Sequence, residues 1–305
     1  MPVQAISGQA DVEAEIPVAA GVAVPSANPA EAGIEAELKR DLGTGRAATI
    51  AAAHLDAGGR RIRARLALDL ICATGVSRRA AMAAACSAEL LHNASLVHDD
   101  IQDATSRRRG QPTIVARHGP EVALCVGDLL ISAAWAALAR LPADCLPAAM
   151  GCMHAAIAAT CHGQIDDLTT ARVDDEAAYQ RIAARKSGPL LALPVQLIAI
   201  LVGRGDLNNV ITTVADTLAQ GYQIEDDLAD AAEDRRVGRP NLVCLYEDRG
   251  LSPAMARRLA VECAQAALAQ ARIDAAALPK ALGSSLEALA VAMQTHNRAW
   301  AGDVA

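Results

Sequence analysis

The sequence predicts an all-α fold, and three observations support this prediction. Aromatic residues make up only 2% of the 305 residues, Phe is absent, and Ala and Leu are abundant, which favours helices over strands. The alternation of apolar and polar residues that is typical of strands is missing. Two Asp-Asp-x-x-Asp motifs each end an apolar stretch that reads as a helix. With 52% hydrophobic residues, the chain can bury a sizeable core.

Glycines and prolines divide the sequence into helical blocks. Residues 1–30 contain acids, prolines and small residues without a basic start and an apolar core, so we expect a disordered leader rather than a secretory signal. No internal linker interrupts residues 31–305, which we expect to form one domain. The predicted helices cover residues 31–56, 60–74, 78–104, 120–140, 145–169, 175–202, 207–233, 253–274 and 281–299.

The predicted helix at 207–233 combines two faces. Val210, Val214 and Leu218 repeat every four residues as an apolar stripe, and the polar residues between Gln223 and Asp230 follow the same helical spacing. This helix is therefore expected both to pack in the core and to bind a ligand.

Composition and charge exclude several functions. The net charge of -7 argues against an extended nucleic-acid surface, so we expect no nucleic-acid partner. The eight cysteines show no metal-ligand spacing and are expected to be reduced thiols in the cytoplasm. The most apolar segment, residues 189–203, is too short to cross a bilayer, and it is predicted to be a buried helix rather than a membrane span.

The two acidic motifs, Asp99–Asp103 and Asp226–Asp230, carry the strongest functional signal. Residues four apart lie on one face of a helix, so the first and last Asp of each motif point toward a shared partner. Carboxylates this close repel one another unless a cation lies between them, and Mg²⁺ bridging a phosphate is the expected cation. The alternative for either motif alone is a solvated helix end.

Two basic segments fit the same ligand. Arg107–Thr113 follows the first motif, and arginine forks can hold a diphosphate on the side opposite a metal ion. Gly58–Arg63 places arginines where a loop enters a helix, a position that favours an anion. The alternatives are a surface salt-bridge cluster for the first segment and an ordinary helix start for the second.

Two further residues extend the candidate site. His92 lies seven residues before Asp99 on the same helical face, whereas His98 points elsewhere. Lys186, at a predicted Gly-Pro break, is a further phosphate donor. The alternatives are a core histidine and a lysine that complements a helix dipole.

In their order along the chain, these segments resemble the trans-isoprenyl diphosphate synthases, the polyprenyl synthetase family, from about residue 57 to about residue 238. The matching segments are Gly58–Arg63, which resembles Gly-Gly-Lys-Arg-x-Arg; His92–Thr113, which resembles the first Asp-rich region with Arg-Arg-Gly-x-Pro-Thr; Gly127–Leu130, which resembles the Gly-Asp segment; Gly163–Leu168, which resembles Gly-Gln-x-x-Asp-Leu; Lys186-Ser187, which stands for Lys-Thr; and Gln223–Asp230, which resembles Gln-x-x-Asp-Asp-x-x-Asp.

The resemblance implies a helical bundle of the isoprenoid synthase type around a central cavity, and a homodimer. It implies condensation of isopentenyl diphosphate with an allylic diphosphate, with about three Mg²⁺ ions when substrate is bound. The implied metal ligands are Asp99, Asp100, Asp103, Asp226, Asp227 and Asp230, and the implied catalytic residues are Asp99, Asp103, Asp226 and Lys186. The implied substrate-binding residues are Arg108, Lys186 and Gln223 for the allylic diphosphate, Arg60, Arg63, His92 and Arg109 for isopentenyl diphosphate, and Ser187.

Two differences from the family pattern bear on closure of the site and on product length, besides the milder change of a Lys to Arg60. After the second motif the chain runs directly into Gly238–Val243, which lacks the usual second Lys and Asp, so the loop is predicted to be short and Arg239 to replace a Lys. Ala94 and Ser95 stand before the first motif, where short-chain enzymes of the family place an aromatic residue. This predicts a product of C20 or longer, unless Leu90, Leu91 or Trp135 closes the cavity lower down.

Three rival functions remain from the sequence. A class I terpene cyclase normally has Asn-x-x-x-Ser/Thr-x-x-x-Glu at its second metal site, and here Asn209 and Thr213 are followed by Thr217. Glu233–Arg236 faintly suggests a head-to-head synthase. A non-catalytic regulatory subunit of a synthase is the third, although such subunits typically lose the acidic motifs that this chain keeps.

Overall fold

The computed structural model describes residues 33–170 and 173–302, with side chains described as far as residue 296. The predicted leader at 1–30 lies outside these ranges. The helices, in chain order, are α1 (Ile34–Lys39), α2 (Arg46–Asp56), α3 (Ile62–Leu68), α4 (Ile71–Thr74), α5 (Arg78–Gln102), α6 (Ile114–His118), α7 (Pro120–Leu138), α8 (Leu146–Thr169), α9 (Glu176–Leu201), α10 (Asn208–Val237), α11 (Leu242–Asp248), α12 (Pro253–Ala275) and α13 (Lys280–Gly302).

The all-α prediction is confirmed, and every predicted helical block is helical over most of its length. The block at 31–56 is divided into α1 and α2 by a turn at residues 40–45, and the block at 60–74 is divided into α3 and α4. The helices α6 and α11 were not predicted, because helices of five and seven residues are too short to show an apolar period.

The second acidic helix is longer than predicted. It continues to Val237 instead of ending near residue 233, and Gly238, with a φ of 76°, provides the left-handed residue that ends it. Asn241 then begins α11 by accepting hydrogen bonds from the backbone N–H groups of Val243 and Cys244. The connection between α10 and α11 is therefore only four residues long.

A short hairpin follows the first acidic helix. Strands β1 (Arg107–Arg108) and β2 (Gln111–Pro112) pair antiparallel, with Arg108 opposite Gln111. The two residues of the turn, Arg109 and Gly110, have φ angles of 53° and 73°, the left-handed pair that tight hairpins prefer. The hairpin holds the predicted Arg-rich segment beside the end of α5.

The central element is α9, which packs against α5, α8 and α10. Its residues 190–199 are all buried, as predicted for this apolar segment, and Pro189 is partly buried. The helix runs unbroken through Pro189 and Pro194, so the predicted break at Gly188-Pro189 is wrong. Pro189 has no N–H to donate to the carbonyl of Arg185, and α8 passes this point so closely that a Cβ on Gly163 would lie 2.5 Å from that carbonyl oxygen.

The apolar stripe predicted on α10 is confirmed. Val214 and Leu218 are fully buried, and Val210 is partly buried against the same core. Gln223 and the acidic motif lie farther along the same helix and line the cleft described below.

Within the described residues, α7 is the single helix that is long and apolar enough to cross a membrane on those two criteria alone. Such helices also occur in the cores of soluble proteins, so this is weak evidence for a span. In this structure α7 packs against α5, and 44% of its most apolar window is buried.

Candidate active site

The two acidic motifs line one cleft. Both α5 and α10 pack against α9, and near their C-terminal ends they face a cavity of about 1130 Å³. Asp99 and Asp103 reach this cavity from α5 and its C-cap, and Asp226, Asp227 and Asp230 reach it from α10. The spacing of four residues in each motif thus places first and last Asp toward the same cavity, as the sequence predicted.

The cleft also collects the predicted basic and polar residues, although these come from distant segments. The predicted site residues that line it are Arg60, Arg63, His92, Asp99, Asp103, Arg108, Arg109, Lys186, Ser187, Gln223, Asp226, Asp227 and Asp230. Asp100 is the exception. It is 2% exposed and lies outside the lining, and its Oδ1 accepts hydrogen bonds from Arg108 Nη2 at 2.9 Å and from Arg108 Nε at 3.0 Å.

Burial makes ionisation of the cleft carboxyl groups costly. It raises the pKa of Asp99 to about 6, with a further contribution from the nearby charge of Asp103. Burial likewise raises the pKa of Asp226 to about 6, and the charge of Asp230 adds to this. A cation between the motifs would remove this cost by favouring the ionised carboxylates.

The donor set fits Mg²⁺ that is shared with a phosphate ligand. Carboxylate oxygens are the ligands that Mg²⁺ prefers, and this ion is usually held by one or two carboxylates together with water and substrate phosphates. Among the described residues, no three His, Cys, Asp or Glu side chains are close enough to enclose a metal ion by themselves. The arrangement therefore suits Mg²⁺ ions whose coordination is completed by the oxygens of a bound diphosphate.

Asp227 differs from the other acids of the second motif. It is 1% exposed, and its carboxylate accepts hydrogen bonds from the backbone N–H of Leu242 at 2.6 Å and from Gln223 Nε2 at 3.3 Å. Burial raises its pKa to about 7, against the effect of these hydrogen bonds. Asn241 donates to the carbonyl oxygen of Asp227 at 3.0 Å, so this part of the motif also ties α10 to α11.

Four residues, Arg60, Arg63, His92 and Arg109, form what we call the basic wall of the cleft. Arg63 is buried, and its Nε has no hydrogen-bond partner among the described residues, as expected for a donor that faces an anion site. Burial and the neighbouring arginines, Arg63 first among them, lower the pKa of His92 well below 6.5. His92 is therefore a neutral imidazole at pH 7 in this structure.

Contacts hold the outer arginines of the basic wall in place. Arg60 donates a hydrogen bond to the hydroxyl of Tyr222 at 3.2 Å, and its guanidinium lies 5.4 Å from the centre of that ring. Arg109 donates to the carbonyl oxygen of Gly58, and a Cβ on Gly59 would lie 2.7 Å from the Arg109 guanidinium. The Gly-Gly pair therefore makes room for an arginine from the hairpin.

On another side of the cleft lie Lys186, Ser187 and Gln223. Lys186 is on α9, two residues before the Gly188-Pro189 pair where a break was predicted, and its Nζ lies 2.6 Å from Asp167 Oδ2. Asp167 belongs to the Gly-Gln-x-x-Asp-Leu segment of α8, so two of the matched segments meet here.

Some residues of the cleft were not predicted from the sequence, and His98, which was expected to point elsewhere, lines it as well. Tyr222 precedes Gln223, and Asp234 lies one turn after Asp230 on the same face, which a longer reading of the i, i+4 pattern would have found. Arg239 was predicted only as a replacement for a Lys. Its Nη2 lies 2.9 Å from Asp103 Oδ1, so it connects the segment after the second motif with the first motif.

The remaining lining is apolar and comes from α5, α8 and α9, through Leu96, Ile165, Leu168 and Leu190. Ser95 lines the cleft, whereas Ala94 is buried in the core. Leu90, Leu91 and Trp135, the residues considered for closing the cavity, belong to or pack against the core and are absent from the cleft lining.

Comparison with known proteins identifies similar sequences and folds. The family model described as polyprenyl synthetase matches residues 46–241. Geranylgeranyl pyrophosphate synthase of Geoglobus acetivorans is 31% identical over 191 residues, which are 61% of this chain and 60% of that protein. The geranylgeranyl diphosphate synthase of Methanosarcina mazei is 31% identical over 182 residues, 58% of this chain and 56% of that protein. The matched region thus spans less than two thirds of these curated relatives.

A solved structure shares the fold over nearly its whole length. The polyprenyl synthase from Caulobacter crescentus CB15, described as complexed with calcium and isoprenyl diphosphate, has a TM-score of 0.72 at 19% identity, covering 87% of this chain and 94% of that chain. At this identity the likeness shows the fold alone.

Proposed function

Because the chain belongs to the polyprenyl synthetase family, we propose that it is a trans-prenyltransferase that condenses isopentenyl diphosphate with an allylic diphosphate. The observation that carries this proposal is the meeting of both acidic motifs and the basic wall in one cleft. Two anionic substrates need two sets of cationic partners, and the cleft offers carboxylates for metal ions beside arginines that bind phosphate directly.

We assign the carboxylates of Asp99, Asp103, Asp226 and Asp230 to hold Mg²⁺, with Asp100 and Asp227 in support through their contacts with Arg108 and α11. Bound Mg²⁺ would stabilise the negative charge that develops on the departing diphosphate. The calcium and isoprenyl diphosphate of the Caulobacter crescentus protein support a divalent cation and a diphosphate in this fold. About three ions with substrate bound is the number that the family resemblance implies.

The cationic residues divide between two substrates. Arg108, Lys186 and Gln223, with Ser187 beside them, bind the allylic diphosphate next to the acidic motifs. The basic wall binds the diphosphate of isopentenyl diphosphate, and the unpartnered Arg63 Nε supports this role. Neutral His92 contributes a hydrogen bond rather than a charge.

The reaction then follows from charge. Arg108 and Lys186 stabilise the leaving diphosphate, so the C–O bond of the allylic substrate breaks and leaves an allylic cation. The double bond of isopentenyl diphosphate attacks this cation, and a proton is lost to the released diphosphate, so we assign no side chain as a general base. The apolar lining excludes water, which would otherwise quench the cation.

The expected product is C20 or longer. Ser95 is a small residue in the lining before the first motif, and Leu90, Leu91 and Trp135 are absent from the cleft lining. Two of the curated relatives are named as geranylgeranyl synthases, which is consistent with this length. Chromatography of the dephosphorylated products tests it, and a C15 alcohol as the only product would refute it.

We also propose a cytoplasmic homodimer without a membrane span. Leu124 on α7 and Met150 on α8 are 52% and 47% exposed, and over half of the residues in the apolar window of α7 are partly or fully exposed. A second copy of the chain is the partner that this surface fits, since a dimer would bury apolar area that a monomer leaves in water. Light scattering of the purified protein is expected to give twice the 31.5 kDa of one chain.

The test of the function is an assay with purified protein, Mg²⁺, isopentenyl diphosphate and radiolabelled C5, C10 or C15 allylic diphosphates. Elongated prenyl diphosphates are expected, and only when Mg²⁺ is present. Hydrocarbons formed without isopentenyl diphosphate would indicate a cyclase, and no turnover by the chain alone would support a regulatory subunit. Asp99→Ala is expected to reduce turnover by a factor of about a thousand without unfolding the chain.

A further inference from the structure

Glu89 is a buried acid whose role neither the motifs nor the proposed chemistry explains. It lies on α5 one turn before His92, is 2% exposed, and is absent from the residues that line the cleft. A buried carboxylate is costly unless hydrogen bonds and opposite charges compensate for its lost hydration. The contacts of Glu89 therefore indicate what it stabilises.

The first contact is with the start of α3. The N-cap of this helix is Arg61, whose φ is 49° and whose side chain makes no cap hydrogen bond. Without a cap, the backbone N–H groups of the first turn lack partners. Glu89 Oε2 accepts a hydrogen bond from the backbone N–H of Ala64 at 3.2 Å, so α5 supplies the cap that α3 lacks.

The second contact is with the arginines of the same segment. Arg61 points away from the cleft, is 7% exposed, and its Nη1 lies 3.7 Å from Glu89 Oε1. Arg61 also forms two hydrogen bonds of 2.9 Å with Glu35 on α1 and donates to the carbonyl oxygen of Leu55 at 2.6 Å. The buried contacts with Glu89 and Leu55 fasten residue 61 to the body of the protein, while Arg60 and Arg63 face the cleft.

The third effect is electrostatic and reaches the basic wall itself. Burial lowers the pKa of Arg63 and of Arg109. The negative charge of Glu89 raises the pKa of both and so favours their charged forms. Arg109 depends on the same segment for its position, because it donates to the carbonyl oxygen of Gly58. One buried carboxylate thus acts on the geometry and the charge of residues 58–64.

We propose that Glu89 is a positioning residue that holds the basic wall in the geometry that binds isopentenyl diphosphate, without touching the substrate. This inference rests on the proposed function for the identity of the ligand. It goes beyond that function because it makes the affinity for isopentenyl diphosphate depend on a residue that does not line the cleft.

Glu89→Gln and Glu89→Ala separate the two contributions. Gln keeps an oxygen that can accept from Ala64 and removes the charge, whereas Ala removes both. We expect Glu89→Gln to raise KM for isopentenyl diphosphate about tenfold, and Glu89→Ala to raise it further, while KM for the allylic diphosphate changes by less than about twofold and kcat by less than about threefold. A fall in kcat together with similar rises in both KM values would show a merely structural role.

The matched control is Glu35→Gln. Glu35 contacts the same Arg61, but its side chain is 51% exposed, so its ion pair is worth little. We expect KM for isopentenyl diphosphate to stay within about twofold in this variant. If Glu89→Gln and Glu89→Ala both behave like the control, the proposal is overturned.

A second measurement separates this proposal from the proposed function. Hydrogen–deuterium exchange of the peptide covering residues 58–66 is expected to be faster in Glu89→Ala than in the unaltered protein and in Glu35→Gln, because the Ala64 amide loses its acceptor. If the unaltered protein shows no prenyl transfer, the proposed function fails and exchange decides the role of Glu89. Unchanged exchange in the Ala variant would then contradict the proposal.

Discussion

The carboxyl groups of Asp99, Asp226 and Asp227 are each held in a protein environment that disfavours their charge. Their pKa values of about 6, 6 and 7 are above the ordinary 3.8, and burial is the main cause in each case. Residues that bind metal ions tightly are often poorly solvated without them, since the cation supplies what water would have supplied. We therefore expect these buried carboxyl groups to destabilise the folded protein when no metal ion is bound.

This cost predicts the pH dependence of the metal-free protein. A group whose pKa is raised in the folded state binds more protons when folded than when unfolded, so its contribution to stability is complete below pH 3.8 and is lost as the pH rises through its folded pKa. We expect the Tm of the metal-free protein to fall between pH 5 and about pH 8 because of these groups. Scanning calorimetry with EDTA measures this.

The control for this pH dependence is Asp99→Asn, which removes one of the groups. We expect a smaller fall in Tm over the same pH range and a higher Tm at about pH 8 than in the unaltered protein. An identical pH profile in the variant would contradict the assignment of a raised pKa to Asp99.

At the scale of elements, the cleft depends on how closely α8 approaches α9. Gly163 lies against the carbonyl group of Arg185, one residue before Lys186, at the place where Pro189 leaves that carbonyl without its helical donor. This approach brings Asp167 of α8 within 2.6 Å of Lys186. A side chain at residue 163 would push the two helices apart.

Gly163→Ala is therefore expected to reduce the free energy of unfolding by about 2 kcal/mol, because its Cβ meets backbone rather than a flexible side chain. Gly151→Ala is the matched control on the same helix, since no atom of the described residues lies within 4 Å of a Cβ placed there. Replacing this helical glycine is expected to leave stability unchanged or increase it by up to about 1 kcal/mol. Urea denaturation of both variants measures the difference, and equal effects would contradict the close approach.

The segment after α10 gives a second prediction at this scale. Arg239 lies in the short loop between α10 and α11. Its guanidinium reaches across to Asp103 of the first motif. We expect Arg239→Gln to raise KM for the allylic diphosphate about tenfold and to change KM for isopentenyl diphosphate little. Arg236→Gln, which removes an exposed arginine paired with Glu233, is the control. The same KM values in both variants would exclude a role for Arg239 in binding.

At the scale of the whole molecule, the sequence was sufficient for the fold class, for most helices and for the meeting of the predicted motif residues in one cleft, with Asp100 as the exception. Residue spacing within a helix is fixed by its geometry, so the first and last Asp of each motif could be placed on one face from the sequence alone. The matched order of segments along the chain then indicated which distant residues would meet, and the structure brings Arg60, Lys186 and Asp226 to one cavity.

Contacts between side chains were not predictable in the same way. The pairing of Asp100 with Arg108, the hydrogen bond from Leu242 to Asp227 and the cap that Glu89 gives to α3 all join segments whose relative position depends on tertiary packing. No local periodicity specifies such contacts. The continuity of α9 through Pro189 is a similar case, because packing against α8 overrides a strong local signal for a break.

The central claim is that the two acidic motifs bind a single ligand through metal ions. A double-mutant cycle tests it with Asp99→Asn, Asp226→Asn and the double variant, measuring by calorimetry the binding of an allylic thiodiphosphate, a non-reactive analogue, in the presence of Mg²⁺. The account predicts that each single variant loses most of the affinity and that the double variant loses little more. If the losses of binding free energy in the two single variants add up to the loss in the double variant, the claim is contradicted. Unchanged binding in either single variant would also contradict it.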